Sequence, residues 1–307
     1  MKQLYYSLPQ YLKDTFGRKL YKVALETGMT CPNRDGKVAV GGCIFCGEGG
    51  SGDFAIYYEG KRLSREELIY NHQEIPKGDY IAYFQSFTNT YAPTSKLREI
   101  FTAALEDDLF AGISIATRPD CLGKDVISLL KELKENYPNK FIWVELGLQT
   151  IHESTAKWMN RGYPLEVFDE AIKNLKSINI EVIVHIIIGL PGEDQKMLLE
   201  TIQYLNACQI DGVKLQLLHY LKNTRLGVQY LSNPSQYHVL EMDEYVELVT
   251  ECIAHLDEHI VIHRLTGDGN AEDLIAPLWS TDKRRVLNLI NHMLKIKSYT
   301  QGCKLLK

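Results

Sequence analysis

Thr30-Cys31-Pro32-Asn33-Arg34-Asp35-Gly36, followed by Gly41-Gly42-Cys43-Ile44-Phe45-Cys46-Gly47-Glu48-Gly49-Gly50-Ser51-Gly52-Asp53-Phe54, is the stretch from which the rest of the chain is read. Thiolates are soft, charged donors that bind iron or zinc, and C-x2-C spacing lets Cys43 and Cys46 reach one metal centre from a tight turn. The surrounding glycines let the backbone wrap closely around such a centre. Cys31 lies twelve positions before Cys43, and no fourth cysteine is near. A closed structural zinc site takes four ligands, so zinc would have to recruit Cys121 or a distant histidine. A [4Fe–4S] cluster on three thiolates leaves one iron open to a substrate. Spacing alone leaves three readings: an iron–sulfur cluster, a zinc site, or buried thiols that hold nothing.

Outward from this loop, apolar runs of strand length alternate with amphipathic runs of helix length, the pattern of βαβ units and a parallel sheet. The expected strands are Tyr80–Phe84, Gly112–Ala116, Phe141–Leu148, Glu181–Ile188, Gly212–Leu218 and His259–Arg264. Helices are expected to start at Ser64 and near Thr94, to span Gly123 to Tyr137, and to span Leu165 to Ile178 behind Pro164 in the first turn. Right-handed crossovers bring every strand's C-terminal end to one face, where barrel enzymes keep their active sites. Segment 223–238, rich in Asn, Gly, Ser and Tyr, reads as a loop over that face. The segments before Cys31 and after about Trp279 read as appendages.

A chain of 307 residues with 45% hydrophobic content can bury one large core. No repeat or low-complexity linker marks a second domain, so residues 1–279 are expected to form one partial barrel with its cluster loop at 31–53, and 280–307 a basic helical extension. The apolar run Val182 to Leu190 contains His185 and is too short to span a bilayer, and no signal region opens the chain. Seven cysteines in such a chain argue for reduced thiols and a cytoplasmic protein without a membrane partner. The net charge of −5 gives no global pull on nucleic acid. From Lys283 onward, however, seven basic residues meet no acidic one in sequence. The bland reading of that run is a solvated helix face and a frayed tail.

The run C-P-N-R-D-G…G-G-C-I-F-C-G-E-G-G-S-G-D-F resembles the cluster loop of a bacterial radical S-adenosylmethionine (SAM) subfamily related to the catalytic subunit of Elongator. The first gap is longer than the common C-x3-C-x2-C spacing, as it is in Elongator-like members. The resemblance continues through Ile115-Ala116-Thr117-Arg118-Pro119-Asp120, Val144-Glu145-Leu146-Gly147-Leu148-Gln149-Thr150, Asn160-Arg161-Gly162-Tyr163 and Gly189-Leu190-Pro191-Gly192-Glu193, over about residues 20 to 265. It implies a partial (β/α)6 TIM-like barrel of the radical SAM type, one [4Fe–4S] cluster on Cys31, Cys43 and Cys46, bound SAM, and an external one-electron donor of flavodoxin or ferredoxin type.

It also implies SAM contacts from Phe45, Thr88, Asn89, Thr117, Glu145, Gln149, Arg161 and Gly189. Thr88 and Asn89 stand where the family commonly has a glycine-rich turn, and those glycines are missing here. Glu145 and Gln149 lie at alternate strand positions, facing one way, and suit ribose hydroxyls; a strand glutamate is otherwise a structural partner of an arginine. Arg161 is expected at the SAM carboxylate, with a surface ion pair as its plain alternative. Candidate substrate or catalytic residues are Cys121, His185, Lys214, Gln216 and His219. For His185 a hydrogen-bonded barrel residue, and for Cys121 a small buried hydrophobe, carries more weight.

Elongator likeness suggests transfer RNA as substrate, at the C5 substituent of the wobble uridine. With no acetyltransferase-like domain in the sequence, remodelling of an existing carboxymethylaminomethyl-type group is expected. The C-terminal basic run, Arg18, Lys19, Lys22 and the tyrosines would serve phosphates and bases. A radical SAM enzyme acting on a small metabolite is the competing reading, and a non-enzymatic metal-binding module is the third. Oligomeric state is not legible.

Overall fold

The computed structural model describes residues 3–47, 49–50, 55–61, 63, 79–267, 269 and 271–305. The helix expected from Ser64, the glycine-rich end of the cluster loop at 51–54 and Lys307 lie outside the described residues. In chain order the elements are α1 (Leu8–Phe16), β1 (Leu20–Glu26), β2 (Ile56–Tyr57), β3 (Asp79–Phe84), α2 (Thr94–Glu106), β4 (Phe110–Thr117), α3 (Lys124–Asn136), β5 (Phe141–Gln149), α4 (Glu153–Trp158), α5 (Leu165–Ser177) and β6 (Glu181–Ile188). They continue with α6 (Gln195–Ala207), β7 (Gly212–Leu217), β8 (Tyr220–Leu221), α7 (Arg225–Ser232), α8 (Met242–His255), β9 (Val261–Arg264), β10 (Leu274–Ala276) and α9 (Lys283–Ile296).

The main sheet runs β2-β1-β3-β4-β5-β6-β7-β9, parallel throughout; among the described residues β2 and β9 do not pair to close it, and Ser7 bridges Ile262 at the outer edge of β9. Two-residue alternation divides it into two faces. Ala82, Phe84, Ile113, Ile115, Val144, Leu146, Val182, Val184, Val213 and Leu215 are buried in the main core, together with apolar residues of the surrounding helices. The alternate positions Tyr83, Ser114, Glu145, His185 and Lys214 line up on the concave face. That polar stripe interrupts otherwise apolar strand runs at single positions, Glu145 in β5, His185 in β6 and Lys214 in β7.

Three expectations need correction. The segment before Cys31 is no appendage, because β1 pairs with β3 over six residue pairs, Leu20 with Asp79 through Leu25 with Phe84, and adds an inner strand. Its alternation is blurred because Lys22 sits on the concave face and pairs with a buried carboxylate. Segment 223–238 is no open loop, since it contains α7, capped by the Thr224 hydroxyl on Gly227 N at 2.9 Å. Pro164 also stands one place earlier than expected, as the extended residue that caps α5.

α1 closes the concave face at the strands' N-terminal ends. Its Leu12 packs with Leu20, Ile81, Trp143 and Ile183 in a separate cluster, and the Tyr11 hydroxyl donates to Glu181 at 2.9 Å. At the other end of the chain, α9 buries Val286, Ile290 and Leu294 in the main core. Part of its basic run is neutralised across space: Lys297 bonds Glu247 and Glu251, and Lys304 bonds Glu251 at 2.8 Å. α9 begins beside Trp279, whose indole N–H donates to Leu240 O at 2.9 Å, and its chain continues to Gln301, which donates to Ile260 O at 2.8 Å. The helix thus runs from the strands' C-terminal side, marked by Leu240 over Gly189, to their N-terminal side. Arg18 and Lys19, just before β1, also lie on the N-terminal side, away from the active face.

Leu12→Ala should cost about 2–3 kcal/mol, because the cavity left under α1 cannot collapse onto rigid strands. Urea unfolding measures it, and a change below about 0.5 kcal/mol would show that α1 is not a packed plug.

Candidate active site

Cys31 follows β1 in the loop that climbs over the strands' C-terminal ends. The loop is stapled to the turn after α4. Asn33, fully buried, donates to Asn160 O at 2.6 Å and approaches Cys43 Sγ at 3.5 Å, while Asn160 donates to Gly42 O at 2.8 Å. Ile44 N donates to Met159 O at 3.0 Å, and Leu226 N to Ile44 O at 2.8 Å, so α7 holds the loop from above. Gly162 has φ +82°, and a Cβ there would lie 2.5 Å from Asn33 Oδ1. The distant sequence blocks C-P-N-R and N-R-G-Y are therefore one interlocked unit.

All three thiols face one cavity of about 280 Å³ at the strand ends. Arg34 donates to Gly47 O at 2.6 Å, reaches to 3.7 Å from Cys46 Sγ and lies over the Phe87 ring. Burial and the neighbouring Cys46 push the Cys43 thiol up to about 12. Among the described residues, no three His, Cys, Asp or Glu side chains converge as ligands of a single metal ion do. Three thiols on one cavity wall fit a [4Fe–4S] cluster that keeps one iron open.

Of the residues expected to contact SAM, Phe45, Thr88, Thr117, Glu145, Gln149 and Arg161 line the same cavity. Gln149 is the most informative. A register shift between Gly147 and Gln149 and a φ of +70° turn it at the end of β5, and its buried Oε1 has no partner among the described residues. A buried acceptor without a protein donor is open to one supplied from the cavity, by water or by a bound molecule. SAM, with its amine and hydroxyl donors, fits this position.

Other expected residues have different tasks. Asn89 is a fully buried brace whose amide donates to Phe84 O, Ser86 O and Ala116 O, each at 3.0 Å. Arg161 is no surface ion pair. Its buried guanidinium donates to Tyr163 O, Leu148 O, Thr150 O and Glu153, which leaves little of its fork for a carboxylate. Gly189 has φ +88° and is covered by Leu240. Cys121 lines a separate cavity with Pro32, Lys37 and Tyr91, and burial and Asp120 push its thiol up to about 12.

Glu145 corrects the ribose assignment. Its Oε1 accepts from Lys22 Nζ and Ser114 Oγ, both at 2.6 Å, and its Oε2 from His185 Nε2 at 2.7 Å and from Lys214 Nζ. Four donors fill the carboxylate's acceptor sites, so none is left for hydroxyls. Lys22 accordingly belongs to the barrel interior and not to an outer phosphate surface. Burial by itself would raise the Glu145 carboxyl, but Lys214, Lys22 and the His185 hydrogen bond hold it well below the usual range. His185 donates from Nε2, because an ionised carboxylate can only accept. Burial and the Lys214 ammonium lower its pKa to about 4.

Gln216 and His219 line the cavity, as expected, while Lys214 lies beneath it. Sequence reasoning missed Arg34, Tyr83, Arg264, Gly267 and Gly269, which line it too. A Cβ at Gly267 or Gly269 would stand 2.5 or 2.8 Å from the His219 ring, so these two glycines admit the histidine. Their place just after the last strand was the available signal.

His185 titrates at about 4 in the fold and about 6.5 when unfolded, so the unfolded chain binds more protons between those values and stability falls as pH drops from 6.5 to 4. This group contributes on the order of 3 kcal/mol to that loss. His185→Gln should flatten the acid limb of urea stability measured across this range; an unchanged limb would contradict a neutral buried imidazole.

The sequence profile of the Radical SAM superfamily matches residues 26–205, and that of the Radical_SAM C-terminal domain matches residues 210–295. The chain is 44% identical over 300 residues to YtqA of Bacillus subtilis, covering 97% of this chain and 92% of that one. A stretch of 85 residues is 33% identical to the tRNA uridine(34) acetyltransferase of Methanocaldococcus jannaschii, covering 28% of this chain and 15% of that one. The solved structure of the archaeal Methanocaldococcus infernus Elp3 with an N-terminal deletion shares the fold, with a TM-score of 0.65 and 16% identity over 92% of this chain and 65% of that one. The matched region begins at the last residue of β1, takes in the three-thiol loop and reaches into the last helix, and on this ground the chain belongs to the radical SAM superfamily.

Proposed function

We propose that this radical SAM enzyme remodels a carboxymethylaminomethyl-type substituent at C5 of the wobble uridine in tRNA. The observation that carries the reading is the cavity itself, which has three thiols on one side and a polar barrel wall on the other. The likeness to a protein named as a tRNA uridine(34) acetyltransferase supports uridine in tRNA as the target. The superfamily's [4Fe–4S] cluster and SAM together supply reductive cleavage of the SAM C5′–S bond and a 5′-deoxyadenosyl radical for hydrogen abstraction.

In this reading Cys31, Cys43 and Cys46 hold the cluster and leave one iron open. Gln149 offers its unpaired Oε1 to a SAM donor, with Phe45, Thr88 and Thr117 around it. α7 and the staple between Asn33 and Asn160 keep the loop closed against water. Gln216 and His219 meet the substrate from β7 and the residues after it. An electron carrier of flavodoxin or ferredoxin type is the external partner. We assign residues 1–279 to the catalytic body and give 280–307 the added task of contacting RNA. Lys297 and Lys304 are taken by Glu247 and Glu251, which leaves the start of α9, with exposed Arg284 and Arg285, as the phosphate-contacting end. Phosphate contacts there position the RNA without reading its sequence.

Anaerobic reconstitution with iron and sulfide, reduction, and assay of 5′-deoxyadenosine with and without tRNA from a strain lacking the gene test the proposal. Cleavage stimulated by tRNA, with a changed wobble nucleoside by mass spectrometry, is expected. Cys43→Ala should lose both the cluster absorbance and SAM cleavage, and retained activity would sink the ligand assignment. Cleavage indifferent to tRNA would move the substrate to small molecules. Arg284→Gln with Arg285→Gln should lower the salt dependence of tRNA binding by about two phosphate contacts. An unchanged slope would remove α9 from the RNA surface.

A further inference from the structure

Arg34 ties the first cysteine of the loop to the last. Its backbone N–H donates to Cys31 O at 2.8 Å, closing the turn that follows the first thiol. Its side chain donates to Gly47 O at 2.6 Å and stands 3.7 Å from Cys46 Sγ, within reach of a sulfur acceptor. Gly42, at φ +75°, makes room for the arginine stem, since a Cβ there would lie 3.0 Å from Arg34 Cγ. The guanidinium lies over the Phe87 ring, 5.3 Å from its centroid. Phe87 itself has φ +56°, a left-handed conformation that residues other than glycine keep only where their surroundings hold them.

Asn33, one position earlier, stands in the same relation to the other thiol of the C-x2-C pair, with its amide 3.5 Å from Cys43 Sγ. Adjacent residues of one turn thus send an N–H to each of the two paired sulfurs. Arg118, which also lines the cavity, is turned elsewhere and donates twice to Asp120, at 2.9 and 2.7 Å. Taking up one electron adds negative charge to a cluster whose thiolates are already anionic. A cation and an N–H donor beside a ligating sulfur favour the reduced form and raise the reduction potential. Half-buried under Phe87, the Arg34 guanidinium acts through less water than a surface side chain would.

We propose that Arg34 is a positioning residue for electron entry, its guanidinium raising the reduction potential of a [4Fe–4S] cluster held by Cys31, Cys43 and Cys46. The external flavodoxin- or ferredoxin-type carrier gives up one electron and the cluster gains it. Arg34 makes that transfer more favourable without touching the carrier. The inference rests on the assignment of the three thiols to one cluster and is independent of the tRNA substrate.

The test is a redox titration followed by EPR on anaerobically reconstituted full-length protein without SAM, comparing the wild type with Arg34→Gln. The variant should hold about tenfold less reduced cluster at a given potential, a midpoint lower by about 59 mV for one electron. A midpoint that stays or rises overturns the proposal. If SAM binding weakens while the SAM-free midpoint stays, the arginine belongs to SAM; if only cluster occupancy falls, it serves the folding of the loop; either result overturns the redox role. Should Arg34→Gln assemble no cluster, wild-type protein labelled with ¹⁵N-arginine decides the matter. Pulsed EPR of its reduced cluster should show a coupled arginine nitrogen, and absence of that coupling overturns the proposal. Failure of the wild-type protein itself to give a [4Fe–4S] signal overturns the cluster assignment too, which keeps the two failures distinct.

Discussion

One buried carboxylate organises the interior of this barrel. Glu145 on β5 accepts from Lys22 on β1, Ser114 on β4, His185 on β6 and Lys214 on β7, so five strands converge on two oxygen atoms. Such a network does not add stability over a well-packed apolar core, since desolvating the charges offsets their attraction. What it adds is direction. Each donor is satisfied only when its strand has the right register, and the same contacts fix the floor of the cavity in which the chemistry takes place.

Above that floor the site depends on a second, non-ionic constraint. The loop that carries Cys31, Cys43 and Cys46 has little secondary structure of its own, and it is held by backbone groups of the turn after α4 and by α7. Gly162 permits the approach of Asn33, and Asn33 in turn bonds Asn160 and reaches Cys43. Arg161, at the same turn, bonds the carbonyls of Leu148 and Thr150, so the thiol loop and the exit of β5 are coupled through one residue. That coupling places Gln149 and the thiols on the walls of one cavity.

The strands were legible wherever both faces of the sheet are apolar enough to leave an unbroken run. Phe141 to Leu148 and Glu181 to Ile188 were read almost to the residue. β1 was missed because Tyr21, Lys22 and Glu26 interrupt its apolar positions, and Lys22 makes sense only once Glu145 is beside it. α7 was missed because its Gly227 and Ser232 favour turns in isolation, while its packing against Ile44 and Leu190 is tertiary.

The sequence by itself determined the class of the fold and singled out the three clustered cysteines, since hydrophobic period and cysteine spacing are local properties of the chain. It also marked part of the cavity lining, because strand ends in parallel α/β folds converge on one face whatever their sequence. Only the tertiary structure decided what those polar residues do. Lys22 and Glu145 stand 123 residues apart, and Lys214 and Glu145 stand 69 apart, yet they share one carboxylate. Strand register and sheet curvature, which no short stretch encodes, turned an expected ribose ligand into the neutralised floor of the site and an expected phosphate contact into its counter-ion.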